Sequence, residues 1–195
     1  MVDDIEIHPL TSERWPDLED LFGPEKGANS GCWCMWPRVS GPLYRDMQRS
    51  GRKEAFEALV KQEAVPGLLA YSADQAVGWC AVGPRENTIR FHTSKAARLA
   101  EAPAPGSIYA LTCFFIRRGW RRQGLTRLLT LAARDFAALA GATALDVCPI
   151  APDKPLQWGE GFVGIASVFR DLGFEEIERR SERRPLMRLQ LDRQA

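Results

Sequence analysis

The sequence has no apolar run approaching the roughly 18 residues a membrane span needs. Its first residues, Met1-Val2-Asp3-Asp4-Ile5-Glu6, are acidic where a secretory leader would be basic and then apolar. These absences exclude a helical membrane protein and predict a cytoplasmic one with no membrane partner. An excess of one charge is also missing. Lys and Arg total 26 against 25 Asp and Glu, so a net charge of +1 recruits no nucleic acid and any basic site must be local. Cysteine is sparse and odd in number, five in 195 residues, which argues against a disulfide framework and for reduced thiols. Low-complexity tracts, repeats and Pro/Gly-rich linkers are absent too, so one domain over residues 1–195 is expected.

What is present reads as alternating α and β segments. A chain that is 45% hydrophobic and 26% charged can bury roughly 70% of its unfolded surface, enough for one full core. Ile5 to Leu10 alternates as a strand, and Ser12-Glu13-Arg14-Trp15-Pro16 opens a short helix reaching Phe22. Residues 23–42 read as a Gly/Pro-punctuated loop, followed by a helix from about Arg52 to Gln62. Gly67–Tyr71 and Ala76–Val82 form a hairpin. Ser107–Ile116 is nearly continuously apolar, as befits a central strand covered on both faces. The spacing of Leu125, Leu128, Leu129, Ala132, Phe136 and Leu139 predicts a helix from Gly124 to Ala140, with Gly141 as its left-handed terminus. Ala144–Cys148 is a strand, residues 162–172 a helix stopped by Gly173, and Glu175–Glu178 with Arg184–Leu191 two last strands. The order implies a mixed α/β sheet with a long central crossover.

The junction Arg121-Arg122-Gln123-Gly124-Leu125-Thr126 carries the chemistry. A buried strand enters it and an amphipathic helix leaves it, so it exposes main-chain N–H groups without intrahelical acceptors at the positive end of the helix dipole. Gly124 lacks a Cβ and allows close approach, and Arg117, Arg118, Arg121 and Arg122 supply forked donors suited to phosphate oxygens. The plainer alternative is a solvated arginine cluster on a helix cap. Two other phosphate cradles are excluded: Gly-x-Gly-x-x-Gly is absent, and Gly124-Leu125-Thr126 lacks the Gly-Lys-Ser/Thr of a Walker loop.

Arg121-x-x-Gly124-x-Thr126 between a central strand and a long helix resembles the Arg/Gln-x-x-Gly-x-Gly/Ala element of the GNAT superfamily of N-acetyltransferases, with Thr126 departing from the final small residue. The likeness extends over most of residues 66–192, including Phe169-Arg170-Asp171-Leu172-Gly173-Phe174. It implies a mostly antiparallel central sheet flanked by helices. It also implies acetyl-coenzyme A as acyl donor, with its diphosphate on Arg121, Arg122, Gln123, Gly124, Leu125 and Thr126. Its pantetheine arm would pair with Phe114, Phe115 and Ile116 as an added strand, ending near Phe169. The implied reaction is transfer of an acetyl or short acyl group to a small-molecule or peptide amine by direct attack in a ternary complex; a homodimer is left open.

The resemblance places a tyrosine where this chain has Phe169, so the acid for the departing thiolate is open between water, Ser167, Tyr109 or none. His92, Asp146 and Glu160 are candidate bases, each with structural or solvated roles as the plainer reading. Cys148 reads as a small buried thiol and His8 as structural. The stretch Cys32-Trp33-Cys34-Met35-Trp36-Pro37-Arg38 either packs on the sheet or walls the acceptor site, with Trp33 and Trp36 receiving an apolar or cationic acceptor and Met35 adapting to it. A metal is not expected, because Cys32 and Cys34 lack a second ligand pair. A silent acyl-coenzyme-A sensor is the competing function.

Overall fold

The computed structural model describes residues 4–23, 31–62, 65–157 and 159–191. The expectations for residues 1–3 and for the 24–30 part of the Gly/Pro loop lie outside the described residues. Seven strands build one sheet: β1 (Ile5–Pro9), β2 (Gly67–Ser72), β3 (Gln75–Pro84), β4 (Ile108–Ile116), β5 (Ala144–Val147), β6 (Glu175–Glu178) and β7 (Leu186–Gln190). Their spatial order is β1-β2-β3-β4-β5-β7-β6, and only β4 and β5 run parallel. That single parallel pair needs a crossover, which α5 (Leu125–Leu139) supplies. No described helix is long and apolar enough to cross a membrane.

Each face of the sheet buries its own core. On one, α5 and α6 (Ala166–Arg170) cover Leu68, Val77, Leu111 and Phe114. On the other, α1 (Trp15–Phe22) and α3 (Arg49–Lys61) enclose Trp33, Leu69, Trp79 and Phe56. Alternation along β4 therefore sends Phe114 to the α5 side and Cys113 and Phe115 to the α1 side.

Several boundaries differ from expectation. α3 starts at Arg49 rather than Arg52, and two short helices, α2 (Gly41–Asp46) and α4 (Ile89–Thr93), occupy segments for which no helix is expected. Both are too short to show a hydrophobic period. The buried stripe of α5 runs through Leu125, Leu129, Ala133 and Ala137, so Leu128, Ala132 and Phe136 are only partly covered and Leu139 is 77% exposed. Four-residue steps track the contact line, and Leu139 lies past it, beside the left-handed Gly141 (φ 82°).

Candidate functional site

β4 and β5 pair only from Ile108↔Ala144 to Leu111↔Val147, after which β5 turns off through Cys148-Pro149 to a bridge between Ile150 and Ile165. At the parting point Val82 opposes Leu111 and Ala81 opposes Cys113, so Thr112 is an extra, bulged residue. Beyond it β4 pairs with β3 and, among the described residues, with no strand on its other side. The Arg117 N–H donates to the Val77 carbonyl at 2.9 Å. By antiparallel alternation, Phe115 and Cys113 also point their main-chain groups at β3, while Phe114 and Ile116 point theirs at the unpaired edge. The Ile116 carbonyl on that edge accepts from Arg121 Nε at 3.0 Å. The sequence-based grouping of Phe114, Phe115 and Ile116 is thereby corrected: Phe115 offers the edge no main-chain group, and its ring stacks on Phe162 on the α1 side.

The edge leads directly to the turn before α5. Arg122 (φ 64°) and Gly124 (φ 85°) are both left-handed, and the Gly124 carbonyl opens the helix by accepting from Arg127 and Leu128. The N–H groups of Gly124, Leu125 and Thr126 have no acceptor among the described residues. A Cβ built on Gly124 would meet no atom within 4 Å. Open space at Gly124 thus adjoins three free donors at the positive end of a 15-residue helix, a setting suited to an anion. Arg121, Arg122 and Gln123 are exposed around it, Gln123 fixed by donation to the Gly119 carbonyl, and Thr126 is half-buried on the first turn. Arg117 does not join them. Its guanidinium donates to the Ala76 carbonyl at 3.0 Å and pairs with Asp20 of α1 at 2.5 Å, on the opposite side of the sheet.

At the other end of the open edge lies a cleft of about 740 Å³. Thr112, Cys113, Trp36, Tyr44, Phe162 and Arg184 are among its walls. From Thr112 to Ile116 the edge spans about 13 Å, so one extended ligand arm along it would connect the anion turn with the cleft. Tyr44 comes from α2, whose start is capped by Ser40 accepting from the Leu43 N–H. Arg52 lies 3.9 Å over the Tyr44 ring, Arg90 lies 3.5 Å over Trp36, and the two rings meet edge to face at 4.9 Å. Burial pushes the Tyr44 phenol up from its usual range, with Cys32 adding to the effect.

The acceptor wall read from the sequence is only partly present. Trp36 is 49% exposed in the cleft, but Trp33 is 1% exposed, stacked on Trp15 within the core, and gives no surface to a ligand. Met35 is buried and borders a separate hollow with Arg38 and Leu59. A strained backbone explains the inversion. Gly31, Trp33 and Cys34 all have positive φ (77°, 43° and 50°), which turns the Trp33 ring inward and points Cys34 at the Trp79 indole, whose Nε1–H donates to the sulfur at 3.1 Å. The adjoining Cys113 thiol and burial push Cys34 well up, and its bond to Cys34 together with burial does the same for Cys32. Among the described residues no group of three metal-ligating side chains occurs.

None of the candidate bases stands ready. Asp146 is fully buried between Arg85 and Arg188. Glu160 borders the cleft but receives both Arg183 terminal nitrogens, at 2.8 and 3.2 Å, which hold its carboxyl below the usual range and occupy its oxygens. His92 is exposed on α4 against the Arg85 carbonyl, and His8 pairs with Glu6 on β1; neither borders the cleft. Tyr109 packs on Phe136, Ser167 lines a different hollow, and Cys148 is buried. Phe169 is 0% exposed and wedged among Phe114, Phe174 and Gly164, so its ring supports β4 from beneath and presents no face to the cleft. Sequence reasoning missed Tyr44 and Arg184. Tyr44 sits in a helix too short to announce itself; Arg184 had one signal, the extended backbone that Pro185 imposes at the head of a buried strand.

No family model matches the sequence, and a search of the curated proteins finds no match. Solved structures do match. PaiA N-acetyltransferase from Thermoplasma acidophilum, in complex with coenzyme A, superposes with a TM-score of 0.54 at 15% identity over 95% of this chain and 98% of its own. YncA from Salmonella typhimurium, with its cofactor acetyl-CoA, gives 0.54 at 14% identity over 99% and 97%. A GNAT-family protein from Desulfovibrio desulfuricans gives 0.55 at 13% identity over 96% and 99%. The chain has the GNAT fold.

Proposed function

We propose that the protein is an N-acyltransferase that takes an acetyl or short acyl group from acetyl-coenzyme A and gives it to an amine in a ternary complex. The observation that carries this is the continuous path from the free N–H groups of Gly124, Leu125 and Thr126, along the unpaired Phe114–Ile116 edge, into the Tyr44 cleft. The PaiA and YncA structures, which contain coenzyme A and acetyl-CoA, support it.

The residues fit the donor by charge and by shape. Gly124, Leu125 and Thr126 would hold its diphosphate through the main chain, with Arg122 and Gln123 alongside, while Phe114 and Ile116 would pair with its arm. When bound, acetyl-coenzyme A supplies a thioester acyl group open to attack by a neutral amine. The Phe114 N–H, free on the open edge, is the donor best placed to polarise a carbonyl there. A phenol carries its proton at neutral pH and Tyr44 lines the cleft, so it serves as the acid for a departing thiolate. Replacing Tyr44 with Phe should lower kcat by roughly tenfold or more. Stopped-assay kinetics would check this, and a kcat within twofold of wild type would remove Tyr44 from the reaction.

Titration calorimetry with coenzyme A and acetyl-coenzyme A, followed by thiol release across amines, amino acids and peptides, tests the reading as a whole. Binding with turnover is expected, and a folded protein that ignores both ligands would end it. A second reading, a sensor that binds acyl-coenzyme A without turnover, is favoured by the hydroxyl-free Phe169 and the occupied carboxylates of Glu160 and Asp146. Binding without turnover across that panel would select it.

A further inference from the structure

The arginines of the cleft have unequal partners. Arg183 is neutralised, by Glu160 and by Asp153 at 2.7 Å. Its neighbour Arg184 has no carboxylate partner among the described residues. Its Nε and Nη2 donate only to the Cys148 and Pro149 carbonyls, at 3.2 and 2.6 Å for Cys148 and 3.2 Å for Pro149, which leaves Nη1 without an acceptor. Those carbonyls follow the last residue of β5, so the unbalanced cation is fixed where β5 parts from β4, in the same cleft as Thr112 and Cys113. Main-chain carbonyls orient a guanidinium without cancelling its charge, and a half-buried cation held this way gains from a bound anion.

A second set of contacts points the same way. Two of the cleft's aromatic rings already carry a cation: Arg90 covers Trp36 and Arg52 covers Tyr44, while Phe162 is stacked on Phe115. Arg52 Nε and Arg90 Nη2 are buried without acceptors, so the wall behind the rings is itself positive. Of the two carboxylates in the lining, Glu160 is spent on Arg183 and Glu182 is exposed, where solvent screens it.

We infer that the acceptor is an amine that also carries a carboxylate, with Arg184 receiving that carboxylate and thereby setting specificity. A free amino acid or a peptide bearing a nearby carboxylate fits this description; a polyamine does not. The inference rests on the acyltransferase reading and names the acceptor class for the same cleft.

The test uses matched pairs that differ only in the carboxylate: phenylalanine with phenethylamine, methionine with 3-(methylthio)propylamine, and lysine with cadaverine. Each is titrated by calorimetry into full-length protein saturated with coenzyme A, so that binding is read without turnover. The carboxylated member should bind at least tenfold more tightly in at least one pair, and in Arg184→Met that ratio should fall toward one. A purely structural Arg184 would weaken both members equally and keep the ratio, which overturns the assignment. Decarboxylated members binding as well or better, or no member of any pair binding while coenzyme A does, also overturns it and leaves the donor reading standing. If coenzyme A itself does not bind, the acyltransferase reading falls first. Arg184→Lys keeps the charge and should retain part of the preference, which guards against a Met variant that folds poorly.

Discussion

Gly124→Trp should abolish measurable coenzyme A binding, a loss of at least 100-fold, while the protein still melts cooperatively. The two halves of this expectation have separate causes. Gly124 has φ 85°, and a residue with a Cβ pays about 1–2 kcal/mol to sit there. For a chain of this size that lowers Tm by several degrees. The first side-chain atom meets no resistance, because a Cβ at Gly124 has no atom within 4 Å. The indole must then occupy the space before the N–H groups of Leu125 and Thr126 that a diphosphate would fill. Gly124→Ala separates the terms: it carries the same backbone strain with little volume, so it should show the same Tm loss and a much smaller loss of affinity. Calorimetry and thermal melts on the two variants decide the matter. Wild-type affinity in Gly124→Trp would mean that the diphosphate sits elsewhere, whatever the stability.

The parts of this molecule that could be read from the sequence are those where local pattern and tertiary role agree. Ile108 to Ile116 is apolar on both faces because α5 covers one side and α1 and α3 the other. Gly124 and Gly141 both mark left-handed residues that bracket α5. Reading failed where long-range contacts decide. Trp33 and Trp36 are three residues apart and look alike in sequence, yet consecutive left-handed residues at Trp33 and Cys34 send one ring into the core and leave the other half exposed. The arginines around the turn also look equivalent, but Asp20, 97 positions from Arg117, draws that one away. Asp146 resembles a catalytic carboxylate at a strand end, and only its partners 61 and 42 positions distant reveal a buried ion pair. Tyr44 and Arg184 become functional candidates through a cleft assembled from five separate chain segments, which no periodicity encodes.

That buried network predicts the largest change in stability. Arg85 is 1% exposed and donates to Asp146 at 2.6 Å, to the Phe91 carbonyl at 3.2 Å and to the Ala97 carbonyl, while its guanidinium lies 4.8 Å over the Phe91 ring. It thereby fastens the 85–97 segment to β5. Arg188 closes the other side of Asp146 at 2.6 and 2.9 Å. Asp146→Ala strands the Arg85 cation in a site where desolvation already lowers its affinity for a proton. Breaking such a pair from one side costs about 3–5 kcal/mol, or a Tm lower by on the order of 10 °C here. Arg188 is the lesser casualty, since its side chain is 18% exposed and can turn to water. Removing both buried charges in Arg85→Met with Asp146→Leu should recover part of that loss, because the one cation left without a carboxylate, Arg188, can turn to water. Recovery stays incomplete, since the Phe91 and Ala97 carbonyls lose their donor, at about 1–3 kcal/mol for each one left buried. Denaturant melts of the single and double variants measure the difference directly. A single Asp146→Ala within 1 kcal/mol of wild type would mean that water reaches Arg85 and that the pair does not fasten this segment; a double variant less stable than the single one would show that the carbonyl contacts outweigh the ion pair.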